Sequence, residues 1–130
     1  MVHEAEVRGE LGRLRARLPE VTGVLAASVD GLVLAEDAPA VESDGFAALT
    51  AAALGVGLRL TDAAGQRNFR ELLIRSEHGY IALYTAGAVG VLAVLARPRV
   101  NVGRLHMEAR RCGTQLAHLL DGDLDRPEDA

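Results

Sequence analysis

The first third of the chain changes from a helical to a strand pattern of apolar residues. Apolar residues at helical spacing predict an amphipathic helix over Glu4–Leu18. Pro19 should end this helix, because its ring and missing N–H cannot continue the hydrogen-bond ladder. An apolar run over Val21–Val29 then leads into Asp30-Gly31, a dipeptide typical of a type I′ turn, and a second apolar run follows. The pattern predicts an antiparallel β-hairpin.

A second helix, predicted over Gly45–Ala64, carries no charge before Arg59. Such a helix is normally buried all round, but the sheet of so small a domain covers one face only. We therefore predict that a second copy covers the other face, although the uncharged stretch is too short to span a bilayer. The alternative is a bent helix in the core, which Gly55 and Gly57 would also allow. One stripe of this helix contains Phe46, Leu49, Ala53, Val56 and Leu60.

The remaining strands differ in polarity. A third strand over Phe69–Ser76 contains several charged residues and should lie at an edge of the sheet. The uncharged segment Gly79–Ala96 is interrupted by a glycine-containing turn, so it predicts two buried strands better than a membrane span. Polar residues before the second helix offer Ser43 or Asp44 as its N-cap.

The last predicted element is a helix over Val102–Leu120, with Asn101 as its N-cap. Residues 121–130 are expected to form an acidic, disordered tail. The complete order is α-β-β-α-β-β-β-α, which predicts a single α+β domain over residues 4–120. Its five-stranded antiparallel sheet should be flanked by helices, because five strands cannot bury both of their faces alone.

Composition narrows the possible functions. The 130 residues have a formal net charge of −4 and few aromatic side chains, which argues against nucleic-acid binding. The chain lacks lysine, so it has no Walker A loop. The single cysteine, Cys112, excludes an internal disulfide and fits a cytoplasmic location. From these features we expect no membrane insertion and no nucleotide cofactor.

No set of side chains forms a recognisable catalytic or metal site in the sequence. His106 and His118 share one helix but are too far apart to hold one metal ion. Cys112 is expected in the core, and the acidic residues between the second strand and the second helix in a solvated loop. The arginines of the first helix would face either solvent or an acidic partner. We therefore predict a protein that is not an enzyme and has no metal or cofactor.

Several short motifs occur together in a characteristic order. They are Leu11-x-x-Leu14, Pro19-x-Val21-x-Gly23, Asp30-Gly31-Leu32, a helix of small residues, Gly79-Tyr80, Leu92-Ala93-Val94-Leu95 and Gly103 before a helix with Met107-Glu108. In this order the chain resembles the Roadblock/LC7 family, a relative of the profilin-like and longin-like folds. Glu20 stands where that family usually has glycine.

The resemblance implies a function through protein partners. Family members dimerise by packing their second helices together and pairing their third strands, and they act on small Ras-like GTPases as regulators, activating cofactors or scaffolds. It implies a cytoplasmic homodimer that binds such a GTPase, whereas a purely structural dimerisation module and a profilin-like ligand-sensing domain remain alternatives. The residues expected at the dimer interface are Phe46, Leu49, Ala53, Leu54, Leu58 and Phe69.

Overall fold

The computed structural model describes residues 4–125 and contains three helices and five strands. Their order is the α-β-β-α-β-β-β-α order predicted from the sequence. The elements are α1 (Glu4–Arg17), β1 (Val21–Ser28), β2 (Val33–Asp37), α2 (Ser43–Ala63), β3 (Leu72–Ser76), β4 (Gly79–Ala86), β5 (Gly90–Ala96) and α3 (Val102–Asp125).

The strands form one antiparallel sheet in the order β2-β1-β5-β4-β3. The predicted α+β architecture is therefore confirmed. Strand β5 lies in the centre, and nearly all of its residues are buried, as the uncharged sequence predicts. Strands β2 and β3 form the two edges, so the charged third strand is an edge strand as expected.

Helices cover both faces of the sheet and create two apolar clusters. Helices α1 and α3 pack on one face, where Leu11, Leu92 and Leu116 are fully buried. Helix α2 packs on the other face, against Leu25 and Val91. The edge strand β2 contacts both α1 and α2, whereas neither helical layer packs extensively on β3. The two edges of the sheet are therefore covered unequally.

The β1–β2 hairpin is confirmed, but its turn differs from the predicted two-residue type I′ turn. Four residues, Val29 to Leu32, separate the strands, and only Gly31 has a positive φ, at 95°. The Gly31 amide donates to the Ser28 carbonyl at 2.9 Å, and the Ser28 amide donates to the Leu32 carbonyl at 2.8 Å. These bonds close a longer loop, because Asp30 keeps the ordinary negative φ.

Two element boundaries also correct the sequence predictions. The N-cap of α2 is Glu42 rather than Ser43 or Asp44, because its carboxylate accepts from the Gly45 amide at 2.7 Å and the Asp44 amide at 3.1 Å. Helix α3 continues beyond Leu120 to Asp125, so the first part of the expected disordered tail is helical. Residues 126–130 lie outside the described residues.

Gly79 is required at the start of β4 because its φ is +154° and a Cβ atom there would overlap the carbonyl oxygen of Ala96. We expect Gly79→Ala to lower the free energy of unfolding by about 1–3 kcal/mol through backbone strain alone. Gly12→Ala in α1 is the matched control, because a Cβ there meets no heavy atom and alanine favours the helix. Equal stability of the two variants in urea denaturation would contradict this role of Gly79.

Candidate functional site

The most distinctive surface is an apolar stripe on the solvent-facing side of α2. Leu49, Val56 and Leu60 are 71%, 55% and 64% exposed. They are spaced by seven and four residues, so they lie on one side of the helix, and Ala52 and Ala53 lie between them. We call Leu49, Ala52, Ala53, Val56 and Leu60 the α2 stripe. Its spacing is that of a helix that packs against another helix.

The opposite side of α2 faces the sheet of its own chain. Ala47 and Leu54 are 0% and 2% exposed and belong to the same apolar cluster as Leu25 and Leu83. Leu54, predicted for the dimer interface, is therefore buried inside the chain and is not available to a partner. The reason is the helical period, which places Leu54 on the side opposite Leu49 and Val56.

The other predicted interface residues have different surroundings. Leu49 lies fully on the α2 stripe, and Ala53 is half-buried at its margin. Phe46 and Phe69 are half-buried beside the cluster under α2. Leu58 is 39% exposed and follows Leu54 by one helical turn, so it lies near the sheet-facing side.

Phe69 also explains why the third strand begins later than predicted. A Cβ atom on Gly57 would lie 3.1 Å from the Phe69 ring, so the missing side chain in α2 leaves room for that ring. The Phe69 side chain therefore packs against α2, and β3 begins at Leu72.

Strand β3 supplies a second exposed apolar surface, at the edge of the sheet. Leu73 and Ile74 are 37% and 42% exposed, and the outer edge of the strand has no neighbour in the sheet. Exposed apolar edges are a template for pairing with another chain. The six residues predicted for the interface omit Leu73, Ile74, Val56 and Leu60, although the exposed stripe of α2 could be recognised from helical spacing alone.

Helix α2 is also long and apolar enough to cross a membrane, by its length and composition only. It has 21 residues, because it extends beyond the uncharged stretch, which is too short by itself. Only 22% of its most apolar stretch is buried within the chain. Because Ala47 and Leu54 pack on the sheet, the exposed apolar surface is one face of the helix rather than its whole circumference.

A polar network joins α3 to the segment before β3. The carboxylate of Glu71 accepts from Arg110 Nη2 at 2.7 Å and lies 4.0 Å from His106 Nε2. His106 Nδ1 shares a hydrogen bond of 2.8 Å with the hydroxyl of Tyr84, and burial raises the pKa of that hydroxyl. The network fixes the position of Glu71 beside the edge strand.

Metal-binding geometry is absent from the part of the chain that the structure describes, where no group of three or more His, Cys, Asp or Glu side chains is suitably placed. Surface grooves of about 300, 350 and 540 Å³ are present. None of them is lined by Ala82, Ala93 or Ala96, the small residues that offer space between sheet and helices. These alanines are buried in packed clusters.

Cys112 is buried between α3 and α1, as expected of a core residue, and its thiol lies 3.8 Å from the Glu10 carbonyl oxygen. Burial raises the pKa of the thiol to about 12. We therefore expect iodoacetamide to react slowly with the folded protein at pH 8 and rapidly after unfolding, because the thiolate is the nucleophile. Mass spectrometry of the alkylated protein measures both rates, and equal rates would show that the thiol is accessible and reactive.

Solved structures with the same architecture come from several bacteria. MglB from Myxococcus xanthus is 15% identical with a TM-score of 0.83, and the match covers 92% of this chain and 91% of that chain. The gliding protein MglB from Thermus thermophilus is 18% identical with a TM-score of 0.81, and the match covers 94% of each chain. These similarities establish the fold.

A third structure is a Roadblock/LC7 domain from Streptomyces avermitilis, 25% identical with a TM-score of 0.71. That match covers 84% of this chain and 92% of the other. A comparison with curated protein sequences gives no match. The model of the Roadblock/LC7 domain matches residues 8–96, which is more than half of the sequence. This chain therefore belongs to the Roadblock/LC7 family.

Proposed function

We propose that this protein is a cytoplasmic, non-catalytic homodimer that binds a small Ras-like GTPase and regulates or scaffolds it. The observation that carries the proposal is the position of the α2 stripe, which lies opposite the sheet-facing side of its own helix. Covering this stripe with a second copy would remove three large apolar side chains from water, at about 25 cal/mol per Å² of buried apolar surface.

Strand β3 supports the same arrangement. Ile74 and Leu72 pair with Ile81 and Leu83, two residues of the apolar cluster below α2. Their side chains therefore lie on the α2 side of the sheet. A second copy that adds its β3 to this edge would bring its own α2 to the same side. Helix packing and strand pairing would then belong to one continuous interface.

The GTPase partner is proposed from family membership and from the shape of such a dimer. Two α2 helices side by side on a continuous sheet would form a rigid platform that can order mobile loops of a bound protein. The charges of the described residues do not single out one arginine for insertion into a nucleotide site, so we propose no direct catalytic contribution. The proposed effect on the GTPase is conformational.

The alternatives have different support. A dimerisation module without nucleotide preference would use the same surfaces and is an outcome of the experiment below. A ligand-sensing domain needs a cavity between sheet and helices, and the buried packing of Ala82 and Ala93 does not support one. The oligomer and its protein partner are therefore the properties to measure.

The test is affinity capture from the source cell lysate, in parallel with GDP and with a non-hydrolysable GTP analogue. We expect a Ras-like GTPase to be enriched in one nucleotide state. Val56→Glu, which places a charge on the α2 stripe, should lose the GTPase. Met107→Glu should retain it, because Met107 is 59% exposed on α3, across the sheet from α2.

Each other outcome has a definite meaning. Equal recovery of a GTPase in both nucleotide states would favour a scaffold over a regulator. Recovery of other proteins only, in both states, would favour the dimerisation module. Loss of the GTPase from Met107→Glu but not from Val56→Glu would move the binding surface to the α1/α3 side of the sheet.

A further inference from the structure

The edge strand β3, together with the residue before it, has a pattern that is complementary to itself. Residues 71–75 read Glu-Leu-Leu-Ile-Arg, with an acid before three apolar residues and a base after them. When an identical segment runs antiparallel beside it, the arginine of each copy lies opposite the glutamate of the other. The apolar residues of the two copies then lie opposite each other. An antiparallel partner of the same sequence is therefore a candidate neighbour for this edge.

The structure fixes which side of the sheet each of these residues faces. Leu72 and Ile74 pair with Leu83 and Ile81 and share the α2 side. Leu73 pairs with Ala82, which is buried in the cluster under α1 and α3, so Leu73 and Arg75 share the α3 side. Glu71 also lies toward α3, where it contacts Arg110.

Geometry restricts how two copies can pair through this edge. Directly opposed residues of an antiparallel pair point to the same face of the sheet, so an α2-side residue must oppose an α2-side residue. A two-fold axis must also pass through one self-opposed residue, because a symmetric interface uses the same surface on both copies. The candidates are registers centred on Leu72, Leu73, Ile74 or Arg75.

Only the register centred on Leu73 matches every position in residues 71–75. It places Leu73 opposite Leu73, Leu72 opposite Ile74 and Glu71 opposite Arg75. Centring on Ile74 would place Leu73 opposite Arg75 and Glu71 opposite Glu77, where like charges repel.

The remaining registers fail for similar reasons. Centring on Leu72 would place Ile74 opposite Arg70, and Leu73 opposite Glu71. Centring on Arg75 would place two arginines face to face.

The existing contacts of the two charged residues favour the same register. Glu71 is held on the α3 side by Arg110 at 2.7 Å, with His106 Nε2 at 4.0 Å. The Arg75 side chain is exposed and has no ion-pair or hydrogen-bond partner among the described residues. A carboxylate already positioned by one arginine can accept a second, because its two oxygens offer about four acceptor sites.

We propose that β3 pairs with β3 of a second copy of this chain in the register centred on Leu73, with each Glu71 facing the partner's Arg75. This inference rests on the proposed homodimer and adds its register and its specificity. Because the pattern complements itself, it selects an identical chain. A related chain with a different charge at either position would meet a mismatch.

Cysteine cross-linking tests the register in the full-length protein. Cys112→Ala removes the native thiol, and the oligomer is first measured by light scattering. Under the proposed register, two copies of Leu73→Cys bring their Cα atoms about 4.5–5.5 Å apart, within disulfide range. The matched control, Ile74→Cys, opposes Leu72 instead, so its two Cα atoms are diagonal neighbours about 7–8 Å apart, beyond the usual disulfide range.

We expect a mild oxidant, diamide, to join Leu73→Cys into a covalent dimer on a non-reducing gel and to leave Ile74→Cys uncross-linked. Cross-linking of Ile74→Cys alone, of both variants, or of neither one in a protein that is dimeric by mass would overturn the register. Those results would leave the proposed homodimer intact. A monomeric mass would instead contradict the homodimer itself.

A charge exchange tests the ion pair separately. Glu71→Arg and Arg75→Glu should each weaken self-association, because each opposes like charges at positions 71 and 75. Mixing the two variants should restore dimers that contain one copy of each, since both opposed pairs are then of opposite sign. If Glu71→Arg weakened self-association only by breaking the internal Glu71–Arg110 contact, mixing the variants would not restore a dimer. Failure to form the mixed dimer would therefore overturn the proposed ion pair between Glu71 and the partner's Arg75.

Discussion

Leu54→Ala is expected to lower the free energy of unfolding by about 2–5 kcal/mol, the range for removing a fully buried leucine side chain. Leu54 is 2% exposed and packs in the cluster between α2 and the sheet. The cost combines lost burial with a cavity beside Leu25 and Leu83, which belong to the same cluster. Chemical denaturation of both proteins at equal concentration measures the difference, because the stability of a dimer depends on concentration.

Met107→Ala is the matched control for this experiment. Met107 is 59% exposed on α3, so we expect a change within about 0.5 kcal/mol. If Leu54→Ala became monomeric without losing stability, Leu54 would belong to the dimer interface, as predicted from the sequence. Loss of stability at constant oligomeric state is the outcome that the burial of Leu54 predicts.

Val56→Glu is expected to convert the proposed homodimer into a folded monomer. Val56 is 55% exposed in the single chain, so glutamate is tolerated there, but each dimer would bury two unpaired carboxylates on the α2 stripe. An uncompensated buried charge costs about 3–5 kcal/mol. Because about 1.4 kcal/mol is a tenfold change, the dissociation constant should rise at least about a hundredfold.

Sedimentation velocity measures this change across a concentration series, and circular dichroism shows whether the monomer is folded. Met107→Glu adds the same charge at an exposed apolar position on α3 and should leave the dimer unchanged. A dimer that persists in Val56→Glu would exclude the α2 stripe from the interface. An unfolded Val56→Glu would show that the dimer and the fold cannot be separated.

Leu54 and Val56 lie two positions apart in the same uncharged segment. Yet substitution of Leu54 is expected to lower the stability of the fold, whereas substitution of Val56 is expected to lower self-association. Composition does not distinguish the two, since both are apolar residues with apolar neighbours. The helical period does separate them, but only after one side of the helix is assigned to the sheet. That assignment follows from Leu54 packing in the cluster with Leu83 and Val91.

Boundaries that depend on side-chain contacts were the least accessible to sequence. The later start of β3 depends on a distant contact, the Phe69 ring lying against Gly57. The N-cap of α2 depends on a local one, the Glu42 carboxylate accepting from the amides two and three residues later. The β1–β2 turn was predicted from Asp30-Gly31, whereas Ser28 and Leu32 close a longer loop. Local dipeptide preferences identified the hairpin but not its turn geometry.

The sequence by itself determined the order of the elements, the five-strand sheet, the charged edge strand and the excess of apolar surface on α2. These follow from periodicity, turn residues and charge, which are properties of neighbouring positions. Only the tertiary structure decided which side of α2 meets the sheet and on which side of the sheet Glu71 lies beside Arg110. The physical reason is that both depend on how distant segments cross, and no local pattern specifies that angle or register.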